Sequence, residues 1–334
     1  MKNNKSSFGS VVALQFRRHP EFGALAGLII VFIVFSFTAT RFLTIESLGG
    51  ILAVASELGI VATGITFLMI TGEFDLSVGS TFGLSAMILA LAANAGIPLF
   101  IGLLLALSAA FFIGLVNGII TVKLNIPSFI ATLGALMFWR GILLAVTGGF
   151  AVRYWGSSSF LYALNGQFYG GFRTSALWFF IIIFFLNLIL IKTPYGNTTY
   201  ATGGNKEAAR VLGVLVNRVK ITNFIISAML AGLAGCIQFA RFYSVDPLRG
   251  TGLELEAIAA VVVGGTLMSG GYGNLIGTLF GVLLMGMVRS GLIMSGAPAY
   301  WYQAFIGIIL ISAAGSVIVT AIPSGLVAIA LFNI

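Results

Sequence analysis

Residues able to do chemistry are scarce in this sequence. The 334-residue chain holds one Cys, Cys236, and one His, His19. A zinc cluster or a Ser–His–Asp set needs more than that. No Gly-Lys dipeptide occurs, so there is no phosphate-binding P-loop. The chain is not read as an enzyme, and no catalytic residue, metal site or cofactor of its own is expected. Cys236 lies in an apolar run and reads as a small packing residue. His19, beside Arg17 and Arg18, reads as a solvated interfacial side chain.

Five acids remain as candidates: Glu57, Glu73, Asp75, Glu254 and Glu256. A carboxylate inside an apolar span costs a few kcal/mol to place, so each needs a reason. Glu57, in AVASELGIVATG, is nearest to mid-span. It is either a functional-site residue, or it pairs with polar groups of a neighbouring helix or faces a wet pathway without binding anything specific, and the sequence leaves both readings open. Glu73 and Asp75 lie in TGEFDLSVGS, where Asp75 before Leu-Ser reads as a helix N-cap. Glu254 and Glu256 begin a short apolar run and complement the positive end of its helix dipole.

The elements that position these residues are written in the alphabet of lipid. The chain is 59% hydrophobic and 8% charged, with mean hydropathy +1.10; a soluble domain carries about 25% charged residues. Apolar runs near 20 residues recur, matching a hydrocarbon core of about 30 Å. They are too long and continuous for barrel strands. The fold class is all-α: a polytopic transmembrane helical bundle of about ten spans. The spans are predicted near 22–40, 49–71, 76–94, 98–122, 128–148, 174–192, 220–241, 254–268, 274–294 and 300–320. Residues 1–21 form an N-terminal segment without a cleavable signal, 22–320 the membrane domain, and 321–334 an apolar tail.

With the N-terminus in the cytoplasm, the inner segments hold Lys2, Lys5, Arg17, Arg18, Lys123, Lys192, Lys206, Arg210, Arg218 and Lys220. The outer ones hold only Arg41, Arg153, Arg173 and Arg249. That asymmetry follows the positive-inside rule. It also explains the net charge of +8 without nucleic acid as a partner. Arg140, Arg241 and Arg289 fall near outer span ends and are expected to snorkel. The outer segment 149–173 is expected to form short interfacial helices, with Trp155, Tyr162 and Tyr169 at headgroup level.

One polar stretch interrupts the chain: KTPYGNTTYATGGNKEAARVLGVLVNRVK, residues 192–220. Pro194 stops a span and Gly196-Asn197 reads as a turn. Gly203-Gly204-Asn205 reads as a second turn, starting an amphipathic helix from Lys206 to about Val216. Small and apolar residues at Ala208, Ala209, Leu212 and Leu215 form a face suited to a protein groove, and Gly213 allows a bend. A helix meant to lie on lipid would carry bulkier residues there. Glycines cluster at 72–83 and 264–277, around Val78-Gly79-Ser80-Thr81 and Val263-Gly264-Gly265-Thr266. Interrupted spans in both halves of a chain are a transporter pattern. Gly79, Gly264 and Gly265, with Glu57 and Asp75, are the candidate pathway or hinge residues.

The stretch Ala201-Thr-Gly-Gly-Asn-Lys-Glu-Ala-Ala-Arg210, with Gly213 and Asn217-Arg-Val-Lys220, resembles the cytoplasmic coupling loop of ribose-type ABC importer permeases. Phe74-Asp-Leu-Ser-Val-Gly-Ser80, Pro127-Ser-Phe-Ile-Ala-Thr-Leu-Gly134 with Arg140-Gly141, and Gly252–Thr266 with Ser269-Gly-Gly271 agree in order and spacing. The resemblance implies a type II importer fold and a homodimer or a pair with a close paralogue. It implies a cytoplasmic ABC ATPase partner carrying the ATP and Mg, and an extracytoplasmic solute-binding protein delivering a monosaccharide or related solute. The setting implied is the bacterial inner membrane, in contact with lipid. Gly203, Gly204, Asn205, Glu207, Ala208, Ala209, Arg210 and Gly213 become the ATPase-coupling element. The chain departs from the family pattern at Glu256, where Asp is common, at Gly72-Glu73-Phe74, and in its apolar tail. The rival reading is an ion-coupled secondary transporter using Glu57.

Overall fold

The computed structural model describes residues 21–298 and 300–314. The N-terminal segment through residue 20, including His19 and its basic neighbours, lies outside the described residues. So do residues 315–320 of the last predicted span and the tail 321–334.

Helices dominate. They are α1 (Glu21–Thr38), α2 (Ile45–Ile70), α3 (Val78–Asn94), α4 (Leu99–Lys123), α5 (Ser128–Thr147), the short α6 (Ser159–Asn165), α7 (Thr174–Lys192), α8 (Pro194–Gly204), α9 (Lys206–Val211), α10 (Val216–Phe242), α11 (Leu253–Val263), α12 (Leu275–Met294) and α13 (Tyr300–Ala314). Among the described residues, seven helices are long and apolar enough to cross a membrane: α1, α2, α4, α5, α7, α10 and α12. Two further apolar helices, α3 and α13, are shorter. Predicted and observed ends agree within a few residues for most spans, because uninterrupted apolar runs mark them.

Burial sorts the helices into layers. In α2 the apolar window is 89% buried, in α5 only 11%. Helix α2 is the most buried span, packed by α7, α10, α11 and α12, while α3 packs on α4, α5 and α10; α1, α4, α5 and α7 are the most exposed. Close approach rests on small residues, as expected where lipid supplies no hydrophobic drive between helices. A β-carbon on Gly64 would lie 2.8 Å from Ser227 Cα, and one on Gly114 would lie 2.6 Å from Phe224 O.

Two stretches inside the bundle leave helical geometry. After α2, residues 71–77 are non-helical before α3 begins. Buried free backbone groups need protein partners. Phe74 N donates to Ser128 Oγ at 3.2 Å and Leu76 N to Thr132 Oγ1 at 3.0 Å. At the second, the helix is shorter than the short span predicted over 254–268. Helix α11 stops at Val263, where Gly264 caps it and Gly265 turns at φ +89. Eleven residues span about 16 Å, half a hydrocarbon core. The chain reaches α11 from β4 (Ser244–Val245), paired antiparallel with β1 (Val152–Arg153), through the turn 246–252. The segment 149–173 is thus not purely helical: α6 is joined there by β1 and by the hairpin of β2 (Gln167–Tyr169) and β3 (Phe172–Arg173).

Candidate functional site

The polar interruption folds as two helices rather than two turns and one helix. Helix α7 ends at Lys192, and Thr193 caps α8, its Oγ1 accepting from Gly196 N at 3.4 Å with Pro194 at the first helical position. Gly196-Asn197, expected as a turn, lies inside α8. Its glycine serves close approach instead, since a β-carbon there would overlap Leu190 O.

Helix α8 is tied down on both sides. Tyr195 donates to Asn223 Oδ1, and Asn223 Nδ2 donates to Phe67 O at 3.2 Å. Tyr200 donates to Gly273 O at 2.7 Å. Burial raises both phenols above their ordinary pKa, so they remain donors throughout the physiological range. At the far end of the interruption, Lys220 pairs with Glu73, which explains the extra carboxylate beside Asp75.

Asn205 caps α9 as the sequence suggests, its Oδ1 accepting from Glu207 N at 3.1 Å and Ala208 N at 3.0 Å. The helix is shorter than expected and stops at Val211. Gly213, at φ +85, donates to Arg210 O at 2.9 Å while Val214 N returns to Ala209 O at 2.9 Å. That left-handed reversal is open to glycine at little cost. Glu207 and Arg210 form an exposed pair at 2.8 Å.

The presented face also differs from expectation. Ala209 is only 2% exposed and packs inward, while Val211 and Leu212 are 88% and 82% exposed. Leu215 is exposed beside them. Asn205, Glu207, Ala208, Arg210 and Gly213 share the outer surface with this apolar knob. Gly203 faces the protein, against Ile70 and Gly271, and Gly204 is exposed but borders Gly271. A six-residue helix is too short for periodicity to set its face, which is why Val211 was missed.

The pathway candidates are mostly held by partners. Glu57 is buried and accepts from Gln238 Nε2 at 2.7 Å, Arg241 Nη1 at 3.2 Å and Asn165 Nδ2 at 3.4 Å. The carboxylate is thus paired with polar side chains of α6 and α10, and Arg241 turns inward rather than snorkelling. Asp75 is fully buried, its Oδ1 accepting from Ser77 N at 2.9 Å and Ser77 Oγ at 2.6 Å. It organises the turn before α3, while Ser77 occupies the cap position. Glu254 and Glu256 stand in the first turn of α11, but Gly252 is the cap and no side chain bonds there. Glu256 instead meets Arg289 at 3.4 Å and accepts from Tyr302.

Gly79 and Gly264 occupy unlike places, so their four-residue motifs do not mark equivalent elements. Gly79 opens α3 against Gly250 and the Glu254 carboxylate. Gly264 ends α11 against Gly277, where its β-carbon would lie 2.6 Å from the Gly277 backbone. Gly265 beside it is the terminator of α11.

Arg140 was expected to snorkel. It turns into the protein, with Nη1 donating to Pro247 O at 2.7 Å and Arg249 O at 2.8 Å, and Nη2 to Gly79 O at 3.1 Å. One planar guanidinium thereby fastens the non-helical approach to α11 onto the start of α3.

Residues 47–314 match the family described as the permease component of the branched-chain amino acid transport system. The chain belongs to this permease family. The permease is 34% identical over 293 residues to the ribose import permease protein of Bacillus subtilis (strain 168), covering 88% of this chain and 91% of that one. It is 33% identical over 292 residues to the autoinducer 2 import system permease protein of Escherichia coli O9:H4 (strain HS), covering 87% and 85%. The ribose import permease protein of Escherichia coli K12 is 34% identical over 296 residues, covering 86% and 90%. These relatives are transport permeases, and the likeness read from the polar loop to ribose-type import permeases holds along most of the chain. The permease is a multi-pass membrane protein.

Proposed function

We propose that this permease carries a monosaccharide or related small polar solute inward, driven by ATP hydrolysis on a separate cytoplasmic ABC subunit. A binding protein delivers the solute to the outer face. The observation that carries this reading is the exposed Val211–Leu212 knob on a capped, tied-down helix in the most polar segment of the chain. An exposed apolar patch on a rigid polar element is what a docking partner covers. The likeness to ribose and autoinducer 2 import permeases favours a sugar or a similar solute over the amino acids of the family's description.

In this reading ten segments cross the bacterial inner membrane from a cytoplasmic N-terminus. The eighth crossing is the turn 246–252 together with α11. The fold is of the type II importer kind, two permeases (copies or paralogues) face one another, and each seats its α9 in an ATPase groove. ATP and Mg belong to that partner. Closure of the ATPase pair shifts the docked helices, and the membrane helices follow between outward- and inward-open states. Non-helical stretches at 71–77, between the second and third crossings, and at 246–252, before α11, supply places where such bundles bend.

Uptake into proteoliposomes holding the assembled importer tests the energy source. Transport is expected to require ATP inside the ATPase-facing compartment and to survive collapse of the proton gradient. Glu57→Gln alone leaves the part-buried Arg241 without its ionic partner, a loss approaching about 3 kcal/mol. That variant is therefore expected to lower stability for a structural reason. The double variant Glu57→Gln with Arg241→Gln removes both charges and is expected to recover most of the stability and uptake. Gradient-dependent uptake lost in both variants alike is the result that returns the ion-coupled reading.

A further inference from the structure

Three backbone segments meet without side chains at the inner end of α8. A β-carbon on Gly203 would overlap Ile70 O and lie 2.6 Å from Gly271 N. One on Gly271 would lie 2.8 Å from Gly204 Cα, and one on Gly270 would lie 2.8 Å from Gly72 N. Gly72, Gly270 and Gly271 all have φ near +80, at +78, +84 and +79. The contact is bonded as well as close, since Gly271 N donates to Ile70 O at 2.8 Å. Ile70 is the last residue of α2, whose terminal carbonyls lack partners within the helix. Tyr200 Oη, one turn back on α8, holds Gly273 O at 2.7 Å.

This junction joins α8, the end of α2 and the loop between α11 and α12. Helix α8 is joined to α9 by the single extended residue Asn205, which ends one helix and caps the other. Helix α2 is the most buried span of the bundle. Side-chain contacts absorb small displacements by changing rotamer, whereas backbone against backbone has no such slack. A shift of α9 therefore reaches α2 and α11–α12 here with little loss.

We propose that Gly203, Gly270 and Gly271 form the transmission joint between the docked α9 and the membrane helices α2, α11 and α12. The inference rests on the ATP-driven reading and assigns these glycines as positioning residues that touch neither solute nor nucleotide. It separates two jobs within the loop: α9 holds the partner, and the α8 junction passes on its movement.

The test uses the full importer in proteoliposomes with its binding protein and a solute that the wild type transports. Three readouts are taken: ATPase subunit retained per permease, solute-stimulated ATP hydrolysis, and solute taken up per ATP hydrolysed. Gly203→Ala and Gly271→Ala are expected to keep the ATPase subunit and hydrolyse ATP, while uptake per ATP falls about tenfold, the scale of a typical coupling energy. Gly23→Ala is the control, because a β-carbon there, on α1 and away from the loop, would meet nothing within 4 Å; it is expected to match the wild type. Tyr200→Phe keeps the packing and removes one bond, so it decides the matter if the alanine variants do not assemble. It is expected to lower uptake per ATP by about threefold. Uptake and hydrolysis falling in parallel, or an unchanged ratio in the assembled variants, overturns the joint. A wild type whose uptake ignores ATP overturns the functional reading, and the joint with it.

Discussion

Replacing Val211 and Leu212 together by Asp is expected to release the ATPase subunit from the permease and to abolish ATP-driven uptake. Both side chains are almost fully exposed. Burying each in a groove would stabilise the complex by roughly 1.5–3 kcal/mol. Losing both weakens association by a factor on the order of 10²–10⁴, and two carboxylates pressed into an apolar groove add a desolvation penalty. The permease itself should fold as before, since surface changes away from internal contacts usually alter stability by about 0.5 kcal/mol or less. Co-purification of the two subunits and thermal unfolding of the permease alone separate these effects. Ala209→Glu supplies the opposite pattern. That residue packs inward, so a carboxylate there is expected to destabilise the permease before docking is tested. If the double Asp variant retains its ATPase at wild-type yield, the knob is not the docking surface.

Arg140→Ala is expected to have the largest effect within the membrane domain. Removing the guanidinium leaves the carbonyls of Gly79, Pro247 and Arg249 without this donor. Each such carbonyl costs about 1–3 kcal/mol if no water or side chain replaces the bond. The turn 246–252 would loosen from α3, and α11 would lose its seat. Uptake is expected to fall by about tenfold or more, with a lower unfolding temperature in lipid. Arg140→Lys keeps a charge and three donors but not the planar fork, so partial recovery is expected. Arg153→Ala is the matching control at the outer surface, where Arg153 lies over the exposed Trp155 ring. An Arg140→Ala protein with normal stability and transport would show that the three bonds carry no weight.

The span positions were legible because lipid imposes one simple demand, about 20 apolar residues with every backbone bond made internally. The cap at Asn205 was legible for a similar reason, because capping chemistry is local. What the sequence hid was long-range. Glu57 announced that it needed a partner, but Gln238 and Arg241 stand far along the chain and meet it only when α10 packs on α2. Arg140 near the end of a span looked like a snorkelling residue, since nothing local signals three carbonyls 61 to 109 residues away. Glycine was the most ambiguous letter. Gly196 sits within a helix, Gly213 makes a left-handed reversal, and Gly203 allows backbone to touch backbone. Composition alone does not separate those roles.

In the proposed function, movement enters this permease through α9 from a partner ATPase. Single cysteines at Leu212 and at Ala209, made in a permease whose buried Cys236 is replaced by Ala, test it directly in the assembled importer. A short thiol-to-thiol linker, with cysteines scanned along the ATPase surface, is expected to join position 212 to the ATPase and to leave the inward-facing position 209 unlinked. ATP binding is expected to change the efficiency of the link at 212. Labelling of position 212 by a lipid-soluble maleimide, with no link to the ATPase in any nucleotide state, would contradict the account.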